Sequence, residues 1–121
     1  MSALAWIAVA GIGGIAALLR FIVDGSVASR SSRSFPLGTL AVNLSGAVTL
    51  GLLTGLAIGG NGMLLAGTAA VGSYTTFSTW MLETQRLAED GNLRAAAGNA
   101  LISLALGLAA AALGRLIGRH L

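Results

Sequence analysis

The sequence contains no cysteine and no lysine, and only one proline and one histidine among its 121 residues. Without cysteine there is no disulfide, thiolate metal site or cysteine nucleophile. The single histidine, His120, lies next to the C-terminus and supports neither a catalytic triad nor a multi-histidine metal site. Charge is scarce too. Charged residues make up 9% of the chain, four acidic and seven basic, the basic ones all arginine. Soluble domains carry about 25%, and a soluble chain with so little charge would expose large apolar patches and aggregate. The isoelectric point near 11.2 reflects a few arginines set against four acids. No basic cluster of the kind that grips nucleic acid is present.

What is abundant is apolar. Hydrophobic residues account for 55% of the chain, and the mean hydropathy is +0.86. Four long apolar segments can be marked off, at about residues 4–23, 37–58, 63–82 and 95–117. Each reaches the roughly 20 residues that cross about 30 Å at 1.5 Å per residue. The first has no basic n-region and is longer than a signal peptide's apolar core, so it is expected to remain as a span. The expected architecture is therefore all-α, one four-helix transmembrane domain over residues 1–121.

Residues 24–36 form a polar connection, with Pro36 suited to the first turn of the following helix. Gly59-Gly60-Asn61-Gly62 reads as a tight turn, and residues 83–94 form a second polar loop turning at Asp90-Gly91-Asn92. Four spans place both termini on one side. Arg20, Arg30, Arg33, Arg86 and Arg94 then fall on the loop side, against Arg115 and Arg119 on the other. The bias of five to two favours cytoplasmic loops only weakly. It suits a protein inserting in both orientations as well as one with weak signals.

The third segment carries the strongest anomaly. Within Gly72-Ser73-Tyr74-Thr75-Thr76-Phe77-Ser78-Thr79-Trp80, five Ser and Thr hydroxyls, one Tyr and a Gly crowd into nine residues. An unpaired polar group in hydrocarbon costs several kcal/mol, so such a run belongs where it is buried in protein or lines a wet cavity. It marks a permeation path or an ion site. Two helix faces support this. Asn43, Ala47, Gly51, Gly55 and Gly59 recur in steps of four, as do Asn99, Ser103, Gly107 and Ala111, while Gly114 and Gly118 repeat the spacing. Small residues allow membrane helices to pack closely. On such a face Asn43 is either interhelical glue or a donor whose amide N–H points at an anion. Ser103 alone could bond back to its own helix. In register with Asn99 and Gly107 it extends a ladder of donors. A bundle of four short spans leaves little room for an internal pore, which points to a second copy.

Other chemistry finds no support. Gly11-Ile12-Gly13-Gly14-Ile15-Ala16 fits a dinucleotide fingerprint by letter, but it lies inside an apolar span and reads as helix packing. The acids Asp24, Glu83, Glu89 and Asp90 lie at span ends or in loops, none of them mid-span, which argues against a proton-coupled carrier.

Three motifs then resemble a known family in order and spacing. They are Gly13-Gly14-x-x-Ala17-x-x-Arg20, Pro36-x-Gly38-Thr39-Leu40-x-Val42-Asn43-x-x-Gly46 and Gly72-x-x-Thr75-Thr76-Phe77-Ser78-Thr79-x-x-x-Glu83. Together they resemble the Fluc (CrcB) fluoride channels over essentially the whole chain. The resemblance implies passive fluoride export from the cytoplasm across the plasma membrane of a prokaryote. It also implies a dual-topology dimer of antiparallel subunits, identical or homologous, with a third helix broken at its midpoint. A structural sodium ion would be held by backbone carbonyls at positions matching Gly72 and Thr75. The fluoride path would include Asn43, Phe77, Ser103 and, nearer its mouth, Thr39, Ser78 and Arg20. Two positions depart from the family pattern. Trp80 stands where a second pore phenylalanine is usual, and Asn99 where a tyrosine is common. This chain is then half of a heterodimer, or a homodimer with an altered or single working pore. Two other readings are a small four-span multidrug exporter, which needs a carboxylate that residues 4–19 lack, and a non-transporting membrane assembly protein.

Overall fold

The computed structural model describes residues 1–31 and 35–121, so Arg33 lies outside the described residues. Among the described residues, three helices are long and apolar enough to cross a membrane: α1 (Ala3–Ser29), α2 (Leu37–Gly55) and α6 (Leu93–Arg119), with mean hydropathies of 2.1, 1.5 and 2.0. No strand occurs among the described residues. Ser2 starts α1 by accepting from the Ala5 N–H at 3.1 Å, and Asn92 starts α6 by accepting from the Ala95 N–H at 3.1 Å. Both satisfy an amide that the first turn leaves open. Pro36 stands as the N-cap of α2, one residue ahead of the helix.

The third apolar segment is helical in pieces. α3 (Gly60–Met63) leads into a π-helical stretch (Leu64–Val71) and then into α4 (Gly72–Tyr74). The helix stops at Thr75, whose ψ of 162° is extended, and resumes as α5 (Ser78–Glu89). The expected break is present at residues 75–77, and Gly72 is still helical.

Several boundaries differ from the hydropathy reading. α1 continues past Val23 to Ser29 and so takes in Asp24. α2 ends at Gly55 instead of running to residue 58. Its last turn is closed by Ala57 N–H to the Thr54 carbonyl (3.0 Å) and Ile58 N–H to the Leu53 carbonyl (3.1 Å). Ala57 takes the left-handed φ of 58° that this closure requires. The turn thus precedes Gly59, and Gly60-Asn61-Gly62 are helical. The Asp90-Gly91-Asn92 turn forms as expected: Gly91 has φ 81°, and Asn92 N–H reaches the Leu87 carbonyl at 2.9 Å.

α2 lies at the centre. Its most extensive contact is with α6, and α1 covers it from another side. The α2–α6 seam is built from glycines. A methyl on Gly51 would overlap the Ala111 carbonyl, and one on Gly55 the Arg115 carbonyl. From the other helix, Gly114 lies against the Val48 carbonyl and Gly118 against the Leu52 carbonyl. Backbone therefore meets backbone, the mode of association that membrane helices favour. Gly13 packs near Ser73, whereas Gly11 and Gly14 face open space, so only one glycine of that run serves packing. The buried apolar residues are mostly small, including Ala16, Val42, Ala69 and Ala96, while Trp6, Ile7, Ile15, Phe21, Leu101 and Leu108 are exposed. In water that arrangement would aggregate; against lipid it is the expected one.

Candidate functional site

The break at residues 75–77 is organised by Asn43 on α2. Its Nδ2 donates to the Thr76 carbonyl at 2.8 Å, and the Thr76 N–H donates to its Oδ1 at 2.8 Å. In an unbroken helix that N–H would go to the Gly72 carbonyl, and the Thr76 carbonyl would accept from the Trp80 N–H. The Asn43 amide thus stands in for two lost helical partners, which matters because orphaned backbone groups are costly. Asn43 is interhelical glue in this respect, and a carboxamide has one further N–H to offer. Thr75 closes the preceding helix: its N–H and its Oγ1 each donate to the Val71 carbonyl at 3.0 Å. Thr76 Oγ1 accepts from the Thr79 N–H at 3.2 Å and so caps α5. Gly46 makes the approach feasible, since a methyl there would overlap Thr75 Cγ2.

An open groove of about 330 Å³ runs beside the break. Asn43, Thr76, Phe77, Trp80, Ser103 and Gly107 line it. Phe77 is 69% exposed and points out along this wall. Its ring stands 5.6 Å from that of Trp80 at 86°, edge to face. Aromatic edges carry partial positive charge and can face an anion. Four residues expected on the path, Asn43, Phe77, Trp80 and Ser103, therefore share one surface.

The others lie elsewhere. Arg20 and Thr39 line a second cavity of about 180 Å³ with Asp24, Val42, Thr76 and Thr79. Thr76 borders both cavities and stands between them. Ser78 is exposed, with its Oγ 3.4 Å from Thr76 Oγ1. Asn99 is 1% exposed and does not line the groove. Its Nδ2 donates to Thr84 Oγ1 at 2.8 Å and to the Trp80 carbonyl at 3.3 Å, and its Oδ1 accepts from Ser103 Oγ at 3.4 Å. The Trp80 indole N–H donates to the Asn99 carbonyl at 2.9 Å, so it too is engaged inside the protein. Gly72 is exposed on the outer side of its helix, and the N–H that would have bonded its carbonyl is diverted to Asn43. Thr76 and Thr84 were missed as site residues. The signals available were the Thr76-x-x-Thr79 capping pattern and the four-residue spacing of Trp80 and Thr84.

One residue past the third apolar segment, burial holds the Glu83 carboxyl above its ordinary range. The Thr39 hydroxyl pulls in the opposite direction, Asp24 adds to the rise, and Arg86 opposes it. Thr39 Oγ1 and Glu83 Oε1 are both buried and sit outside hydrogen-bond geometry, so the hydroxyl's influence is a weak one.

Residues 7–115 match the family described as CrcB-like protein, Camphor Resistance (CrcB). Similar proteins include fluoride-specific ion channel FluC 2 of Mycolicibacterium paratuberculosis, 64% identical over 91% of this chain and 90% of the relative. FluC 2 of Mycobacterium tuberculosis is 59% identical over 94% of this chain and 90% of its own length. FluC 1 of Symbiobacterium thermophilum is 39% identical over 95% and 98%. With a family match spanning nearly the whole sequence and relatives this close, the chain belongs to the CrcB family.

Proposed function

We propose that this protein is a passive fluoride channel that releases fluoride from the cytoplasm across the plasma membrane. The observation that carries the reading is the pinned break at Thr75–Phe77, set against a groove walled by Asn43, Phe77, Trp80 and Ser103. The relatives' names point the same way. Fluoride is small and tightly hydrated, so it leaves water only where fixed donors replace its shell. The remaining Asn43 N–H, the Thr76 hydroxyl and the ring edges of Phe77 and Trp80 are such donors. A negative interior drives the anion outward by about 2.3 kcal/mol per 100 mV, so no energy coupling is needed. Fluoride that enters as neutral HF and dissociates inside leaves by this route. Asp24 is the acid that α1 gains over the hydropathy reading, and it lies beyond the apolar stretch of residues 4–23.

The groove is open on one side, and a second subunit in antiparallel orientation, identical or homologous, closes it. Residues 63–82 then cross the bilayer as a fourth, broken span. A sodium ion at the contact between subunits fits the donors present. The Gly72 carbonyl has lost its helical partner, and the Thr75 carbonyl belongs to an extended residue. Carbonyls freed in this way can replace an alkali ion's hydration shell. The ion would supply a fixed positive charge that ties two subunits together. Purified protein reconstituted in liposomes should release fluoride far faster than chloride. Equal rates for the two ions, or no flux of either, would overturn the reading.

A further inference from the structure

We infer that Thr84, which lies outside the groove, is a specificity-determining positioning residue that acts with Asn99 to hold the Trp80 indole as a fixed wall of the ion path. The inference rests on the channel reading above.

Asn99 is almost wholly enclosed, and its carboxamide has two N–H donors and one oxygen. One N–H goes to Thr84 Oγ1 (2.8 Å), the other to the Trp80 carbonyl (3.3 Å), and the oxygen accepts from Ser103 (3.4 Å). The Trp80 carbonyl, which can only accept, fixes which end of the amide faces α5. No donor of Asn99 is left for an ion. The indole N–H is likewise spent, on the Asn99 carbonyl at 2.9 Å. Thr84 Oγ1 accepts from Asn99 and donates to the Trp80 carbonyl at 2.9 Å, closing a loop of contacts between α5 and α6. The polar groups of residues 80, 84 and 99 thus bind one another, and of these three residues only the Trp80 ring borders the groove. The edge-to-face angle of 86° between Phe77 and Trp80 is set from behind, by α6. Selectivity for a small anion depends on the width between such rings, and therefore on how firmly Trp80 is held.

The chain has two tryptophans, so Trp6→Phe leaves Trp80 as the sole emitter. In that background, Thr84→Val keeps the shape of the side chain but strands an Asn99 N–H. The fluoride-over-chloride flux ratio in liposomes should fall by about tenfold. Trp80 emission should shift and become more open to acrylamide quenching. Thr84→Ser, which keeps the hydroxyl, should preserve both readouts. Should Thr84→Val fail to fold, Asn99→Ala removes the same bond from the other partner and is held to the same two readouts. Unchanged emission, altered emission with the flux ratio intact, or a serine variant that behaves like the valine one would each overturn the inference. A parent protein that carries no fluoride at all would instead defeat the channel reading on which it stands.

Discussion

Along the α2–α6 seam, glycines bring two backbones into direct contact. Gly51 and Gly55 meet the carbonyls of Ala111 and Arg115, and Gly114 and Gly118 meet those of Val48 and Leu52. At the break between α4 and α5, the backbone has no such partner, and side chains replace it. Asn43 takes the Thr76 N–H and carbonyl, Thr76 caps α5, and Asn99 and Thr84 tie Trp80 to α6. The seam is apolar, regular and closed. The break is polar, irregular and open to a groove. A helix keeps its hydrogen bonds to itself and so offers nothing to an ion. Only where the ladder is interrupted do carbonyls, amides and hydroxyls turn outward. The rigid seam holds α2 and α6 in place, and these two helices supply the partners that keep the break in one conformation.

The comparison predicts unequal responses to adding a single methyl. Gly51→Ala drives a Cβ into the Ala111 carbonyl, backbone that cannot rotate away. Overpacking of this kind should cost about 3 kcal/mol, seen as loss of monodisperse protein or a large fall in thermal unfolding temperature in detergent. Gly25→Ala meets nothing within 4 Å and lies on an exposed face of α1. It should gain up to about 1 kcal/mol from helix propensity. Similar losses in both variants would mean that the seam is not the rigid member of the pair.

Asn43 is the matching probe of the break. Asn43→Ala removes both bonds to Thr76 and leaves two backbone groups unpaired, at about 1–3 kcal/mol each. Fluoride flux should fall by tenfold or more, because the hydroxyls and ring edges lose their register. Asn43→Asp keeps the acceptor for the Thr76 N–H but sets a negative charge beside the anion's path and against the Thr76 carbonyl. It should slow flux while disturbing the fold less than alanine does. Full conductance in Asn43→Asp would remove Asn43 from the path and leave it as a purely structural pin.

A smaller effect belongs to the end of α2. Ala57 adopts a left-handed φ of 58°, which costs a residue with a Cβ about 1–2 kcal/mol. Ala57→Gly should recover about 1 kcal/mol in thermal unfolding, part of the relief being offset by unfolded-state entropy.

Hydropathy located α1, α2 and α6, because length and apolar content are sufficient evidence of a spanning helix. It misplaced their ends. Residues 24–29 include Asp24, Ser26 and Ser29 yet continue α1, and the cluster Gly59–Gly62 drew the turn away from Ala57, where it forms. The crowding of hydroxyls gave away the interruption after α4. Its position depended on where Asn43 could reach, and that is a tertiary fact. The π-helical stretch Leu64–Val71 left no signature, since its residues would suit an α-helix equally well. At the site, the four-residue spacing of Asn99, Ser103 and Gly107 put them on one face correctly, but it could not show that Asn99 is covered. Trp80 and Thr84 fill that space from another helix. The small cavity with Arg20 and Thr39 is separate from the main groove because Thr76, in the break, stands between them.

The seam, being backbone on backbone, should ignore pH, whereas α5, beyond the break, carries a carboxyl, Glu83, that should not. Burial raises Glu83, outweighing the Thr39 hydroxyl and Arg86, with Asp24 adding to the rise. A carboxyl whose affinity for protons is higher in the folded state binds more of them there than when unfolded. Its contribution to stability is therefore fully present below the ordinary carboxylate pKa and declines as pH rises through the elevated one. Thermal unfolding followed from pH 4 to pH 7 should show that decline in the parent protein. Glu83→Gln, neutral throughout, should flatten it. The effect is modest because the group is only partly enclosed and solvent screens its charge. A decline of equal slope in Glu83→Gln would assign the pH sensitivity to another group, Asp24 being the neighbouring carboxyl to substitute next.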